Sequence, residues 1–182
     1  MIELQLFAND VDANDVDKVK GTQIIYLYRL LREKSKEDAT HIAFSEENEL
    51  SMKRDADTTQ TKDGPIRTPG TPELEITAKS ILAKGDTIVD KLKQALLSGE
   101  IVEVWRVNLA EEGTETNVGK YKATYYQANV TEFTETSNAE DATEVELTFG
   151  VQGNGADGYA TVSDAQKEAA SYVYKDTTKE AA

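Results

Sequence analysis

Between Glu73 and Ala83 the side chains alternate: Leu74, Ile76, Ala78 and Leu82 are apolar on one face, while Glu73, Glu75, Thr77 and Lys79 are polar on the other. A two-residue period with one polar face describes a half-buried antiparallel strand. Lys84-Gly85 ends the run, and the period then changes. From Asp86 to Ser98 the residues Ile88, Val89, Leu92, Ala95 and Leu96 fall at helical spacing, with Asp86 placed as N-cap and Gly99 as C′ residue. The stripe reads as core packing.

The other segments point to strands. Thr22–Leu31 is rich in β-branched and aromatic residues, short strands are expected at Thr40–Phe44 and Glu49–Lys53, and longer ones at Ile101–Leu109, Lys120–Thr136 and Thr143–Gln152. Lys120–Thr136 exceeds the usual strand length, so it either projects from the body or bends between two sheets. Ser163-Asp-Ala-Gln166 fits a capping box ahead of a short helix, and Ser171–Tyr174 reads as a last strand. One internal helix among many strands argues against alternating βαβ units. It argues for a β-sandwich or barrel with a helix outside it.

A chain of 182 residues is large enough for one domain with a proper core. Its net charge of −14 opposes binding nucleic acid through phosphates, which requires clustered Lys and Arg. With no cysteine, disulfides and thiolate sites are excluded. Met1–Ala8 is apolar but lacks the basic flank of a signal peptide, and no run reaches membrane-spanning length, so no membrane insertion is expected. Residues 9–20 repeat Asn-Asp-Val-Asp and read as an extended acidic arm.

Arg54–Gly70 breaks the pattern. It contains Pro65, Pro69 and charges of both signs, with Ile66 its one large apolar residue. It reads as a long polar loop, which inside a compact domain is either functional or disordered.

Signatures of chemistry fail on inspection. Gly153-Asn-Gly155-Ala-Asp-Gly158 matches G-x-G-x-x-G, but the neighbouring strands read as antiparallel, and Asp157 and Asp164 would repel phosphate; a Gly-rich hairpin turn is the plain reading. Asp10-x-Asp12-x-Asn14 begins like a calcium loop, but Asp15 and Gly21 stand where Gly and Glu are needed. His41 is the sole histidine, with no G-x-S-x-G serine to serve and no second imidazole for a metal; it reads as a strand-edge residue. Trp105, Tyr121, Tyr125, Tyr126 and Phe133 read as packing residues. Neither an enzyme, a cofactor nor a metal site is expected.

Arg54-Asp-Ala-Asp57, Thr61-Lys-Asp-Gly-Pro65, Arg67-Thr-Pro-Gly70, Ser80–Asp86, Asp90-Lys-Leu-Lys93 and Gly99–Trp105 resemble the major tail proteins of long-tailed phages and prophages of Gram-positive bacteria. The resemblance runs from about Gly21 to Tyr174. It implies a two-sheet β-sandwich or barrel-like tail-tube fold with one flanking helix, whose six copies form a ring with joined inner sheets. The rings would stack into a tube, part of the virion, made in the host cytoplasm. The implied organisation is an acidic arm (1–20), a tube domain (21–162) carrying an inter-ring loop (54–72), and a C-terminal arm (163–182), with the arms locking subunits together. The implied partners are further copies of the chain, a tape-measure protein, a tail terminator and distal tail or baseplate proteins. DNA would pass without specific binding. Arg54, Asp55, Asp57, Lys62, Asp63 and Arg67 would contact the neighbouring ring, through a loop disordered in the free protomer. Glu144 and Glu146 are candidates for the lumen. The alternatives are the tube of a tailocin or injection device, a monomeric β-sandwich binding carbohydrate or a cell-surface ligand, and, supported only by abundant carboxylates, a hydrolase.

Overall fold

The computed structural model describes residues 18–170. Six strands, β1 (Ile24–Leu30), β2 (Ser45–Thr61), β3 (Gly64–Ile81), β4 (Ile101–Glu112), β5 (Tyr121–Thr136) and β6 (Glu144–Ala160), form one antiparallel sheet. Their order is β1-β4-β5-β6-β3-β2. Two α-helices, α1 (Thr87–Ser98) and α2 (Asp164–Ala170), and three 3-10 turns complete the elements of the described residues.

The sheet is folded over on itself, and β5 and β6 make the fold. β4 pairs with β5 only as far as Asn129, so Thr131–Thr136 of β5 pairs with β6 alone. On β6, Glu144–Gly150 lies against β3, while Gln152–Ala160 pairs only with β5. Register shifts between Tyr125 and Gln127 and between Val130 and Glu132 mark where the pair bends; bulges turn a strand in this way. The outermost strands therefore meet. Tyr28 of β1 stacks on Phe149 of β6 at 5.2 Å, and its hydroxyl donates to Asn48 Oδ1 of β2 at 3.1 Å. The two layers expected from the sequence are thus halves of one sheet that share β5 and β6.

The core lies between the halves. Tyr26, Leu30, Ile76, Val104, Tyr126 and Leu147 are buried there with Ile88, Val89, Leu92 and Ala95 of α1. The helix begins and ends as its sequence predicts. Asp86 Oδ1 accepts from Ile88 N at 3.1 Å, and Gly99 adopts the left-handed conformation at φ 71°. Asp86 Oδ2 also accepts from Ala43 N at 2.9 Å, tying the β1–β2 connection to the helix. A second, smaller cluster of Leu27, Val107, Ala123 and Val162, with Trp105 and Tyr121 against it, covers the outer side of β1, β4 and β5. The capping box before α2 forms both bonds: Ser163 N donates to Gln166 Oε1, and Gln166 N to Ser163 Oγ.

Beside that cluster Arg29 donates from Nε to Glu103 Oε2 at 2.8 Å, and its Nη2 lies 2.8 Å from the same oxygen. Tyr125 Oη donates to the other carboxylate oxygen at 2.9 Å, and the guanidinium lies 5.0 Å from the Trp105 ring centroid. Glu103 is 5% exposed, and Arg29 and Tyr125 between them engage both of its carboxylate oxygens. The group joins β1, β4 and β5, and burial is the main cause pushing the Tyr125 phenol upward.

Several sequence expectations are corrected. Arg54–Gly70 is no loop; it continues β2 and β3 as a paired hairpin with Lys62-Asp63 at its tip. Asp63-Gly64 is a turn signal beside the β-branched Thr59 and Thr61, and Gly64 takes φ 123°. The prolines fit because the strand's other edge has no partner there among the described residues, where a missing N–H costs no ladder bond. Thr40–Phe44 is not a strand: it makes one bridge, Tyr28 to Thr40, before the Asp86 contact and the positive φ of Phe44 (49°) turn the chain away. His41 accordingly lies beside a bridge, not within a strand. Gly153–Gly158 is no hairpin turn but the bulged stretch of β6. A Cβ at Gly155 would sit 2.5 Å from the Tyr126 ring, which requires glycine there. Leu82 leaves the apolar face because β3 ends at Ile81, and it is exposed. Ser171–Tyr174 and most of the acidic arm lie outside the described residues.

Removing the Glu103 carboxylate leaves Arg29 without its buried partner. Glu103→Ala is expected to lower the unfolding free energy by about 3–5 kcal/mol, measured by urea denaturation. A loss under about 1 kcal/mol would show that the pair behaves like a surface ion pair.

Candidate functional site

The registers that build the body also assemble a polar surface. Reading across the ladder, Glu47 of β2 stands beside Lys79 of β3, then Glu146 of β6 and Thr134 of β5. The adjacent row runs Glu49, Thr77, Thr148 and Glu132. Glu75 and Glu73 continue β3 toward the hairpin, opposite Ser51 and Lys53. Glu144 closes the other end opposite Thr136. Alternation is the cause: Leu74, Ile76, Val145 and Leu147 point into the core, so their neighbours point away.

This face is strongly acidic. Lys79 sits among its carboxylates, with Nζ 3.0 Å from Glu144 Oε2 and 3.8 Å from Glu46 Oε2. The hydrogen bond to Glu144 is the main cause raising the Lys79 pKa above its ordinary value, and charges on Glu144, Glu46 and Glu146 add to it. The two residues singled out in the sequence, Glu144 and Glu146, thus share one surface with Glu132, Glu47, Glu49 and Glu75. Those four were missed because their common face exists only once four strands are in register.

Two strand edges bound the face. β2 pairs with β3 on one side, and along Glu46–Lys53 no strand among the described residues pairs with the other. On the far side Thr131–Thr136 of β5 lies beyond the end of the β4 pairing. Backbone donors and acceptors on such edges are open to another chain.

The hairpin projects from one end. β3 pairs with β6 only over Glu75–Ile81, so the part beyond Lys53 and Glu73 is a two-stranded ribbon. Nine residues from Lys53 to Thr61 span about 30 Å. Asp55, Asp57, Lys62, Asp63 and Arg67 lie on it with Arg54 at its base, and all six are exposed. None of them has an ion-pair partner among the described residues. Isolated two-stranded ribbons are marginally stable in water, so this one depends on its anchored base and gains from any surface that receives it.

Comparison with known proteins gives a consistent result. A family model described as phage tail tube protein matches residues 18–157. The chain is similar to a putative tail protein of Staphylococcus phage phiMR25, 32% identical over 158 residues, covering 85% of this chain and 81% of the relative. Among solved structures, the SPP1 tail tube superposes with a TM-score of 0.70 at 18% identity, covering 90% of this chain and 96% of that one. The tail of a gene transfer agent particle superposes at 0.57 and 14% identity, covering 78% of this chain and 98% of that one. At such identities the two structures speak to the fold.

Proposed function

Since the chain belongs to the phage tail tube protein family, we propose that six copies close edge to edge into a ring and that the rings stack into the tube through which phage DNA is delivered. The acidic four-stranded face, open at both edges, carries this reading. The β2 edge of one copy pairs with the Thr131–Thr136 edge of the next, and the face between them turns inward. Ring closure removes both edges from solvent. Six four-stranded faces at about 4.8 Å per strand give a circumference on the order of 115 Å, hence a channel wider than those of 16- to 18-stranded barrels.

An inward acidic wall suits transport without adhesion. Duplex DNA carries about one negative charge per 1.7 Å, so carboxylates such as Glu144 and Glu146 repel it instead of exchanging counterions with it. The hairpin performs the second joint: Arg54, Lys62 and Arg67 meet carboxylates of the adjoining ring, while Asp55, Asp57 and Asp63 meet its cations. A tape-measure protein would occupy the channel before DNA, and a terminator and distal tail proteins would cap the tube's ends. The N-terminal (1–20) and C-terminal (163–182) segments serve as arms between subunits.

Replacing Arg54–Pro72 with Asn-Gly closes β2 onto β3 at the Lys53–Glu73 pair through a two-residue turn. The expected product folds with an unchanged melting profile and sediments no larger than a single ring. Tubes of ordinary length from this variant would show that the hairpin is not the stacking contact.

Neutralising the inner wall separates assembly from transport. Virions carrying Glu144→Gln with Glu146→Gln are expected to build tubes normally but eject DNA more slowly, read by dye uptake after triggered ejection. Ejection at the parental rate would remove these residues from the channel.

A further inference from the structure

Between β1 and β2 lies an open cleft of about 910 Å³. Its walls include Ile24, Tyr26 and Tyr28 of β1, Ile42 and Phe44 of the connection, and Leu50 of β2. Three observations mark it as an unfinished contact. The outer edge of β1 makes only the single bridge from Tyr28 to Thr40, so Ile24–Leu27 offers backbone groups without a strand partner among the described residues. His41 also lines the cleft, and its buried Nδ1 has no hydrogen-bond partner among the described residues. At the lip, Phe44 is 69% exposed and holds φ 49°, a conformation costly for a bulky side chain that persists where surroundings impose it.

We propose that this cleft receives Met1–Ala8 of an adjacent copy of the chain as an added strand along β1. The inference rests on the self-assembly proposed above. The segment has the required chemistry: Ile2, Leu4 and Leu6 alternate with Glu3 and Gln5, so one face is apolar for the cleft and the other polar for solvent. Strand addition draws affinity from main-chain bonds and specificity from alternate side chains. Asn9–Asp17 can span about 30 Å when extended, which sets the reach of the segment. Charge favours donation between copies. The like charges of Asp10, Asp12, Asp15 and Asp17 repel one another. Glu46 and Glu47 line the same cleft that Gly21 and Thr22 enter, which opposes folding the linker back over it.

Because the chain contains no cysteine, a designed pair reports the contact cleanly. Full-length protein carrying Leu4→Cys and Phe44→Cys is allowed to assemble, oxidised, and run on a denaturing gel without reductant, with its sedimentation measured alongside the parent's. A ladder of covalently linked multimers is expected, lost when either cysteine is omitted. Large assemblies without a ladder, or a disulfide within single chains, would overturn the strand exchange while leaving the tube reading intact. Failure of the parent itself to assemble, with no ladder, would overturn both. As a second arm, Ile2→Asp with Leu4→Asp and Leu6→Asp should reduce assembly at least tenfold with no change in the melting profile; undiminished assembly would count against the proposal independently of any cysteine.

Discussion

The fold depends on one backbone event: β5 and β6 bend together and serve both halves of the sheet. Without the register shifts near Tyr126 and Thr131 these strands would lie in a flat six-stranded sheet with one large apolar face in water. The bend lets Tyr28 reach Phe149 and Asn48, and it encloses the core that α1 then closes. It also carries Thr131–Thr136 past the end of β4, which creates the second open edge. Core formation and an open strand edge therefore share a cause.

Charge is distributed to match. Inside, the only buried carboxylate among the described residues, Glu103, is held by Arg29 and Tyr125. Outside, glutamates crowd the polar face of β2, β3, β6 and β5 with Lys79 among them, and the hairpin carries charges of both signs that make no ion pair among the described residues. A surface of one sign repels DNA, whereas a surface of mixed sign can be matched by a partner. The same molecule thus keeps a face of one sign apart from a ribbon of mixed sign.

Much of the architecture was legible in the sequence because it rests on local rules. Alternation located the body of β3, capping chemistry located α1 and the start of α2, and the length of Lys120–Thr136 pointed either to projection from the body or to a bend between two sheets, of which the bend is found. What escaped depended on pairing across the sheet or on overlooked turn chemistry. The hairpin was read as a loop because its prolines and polar residues suggested disorder, although Asp63-Gly64 was a sufficient turn signal. The acidic face was only half visible: Glu144 and Glu146 could be placed on a polar face, but Glu47, Glu49, Glu75 and Glu132 join them only through register. The cleft between β1 and β2 could not be foreseen, since it arises where the two ends of one sheet meet.

Electron cryomicroscopy of the purified, assembled protein distinguishes the possible arrangements of the strands. A hollow tube of stacked six-fold rings is expected. In it, β2 of each subunit pairs with Thr131–Thr136 of the next, and Glu132, Glu144 and Glu146 face the channel. A tube whose channel is lined by other strands, with this acidic face turned outward, would contradict this expectation.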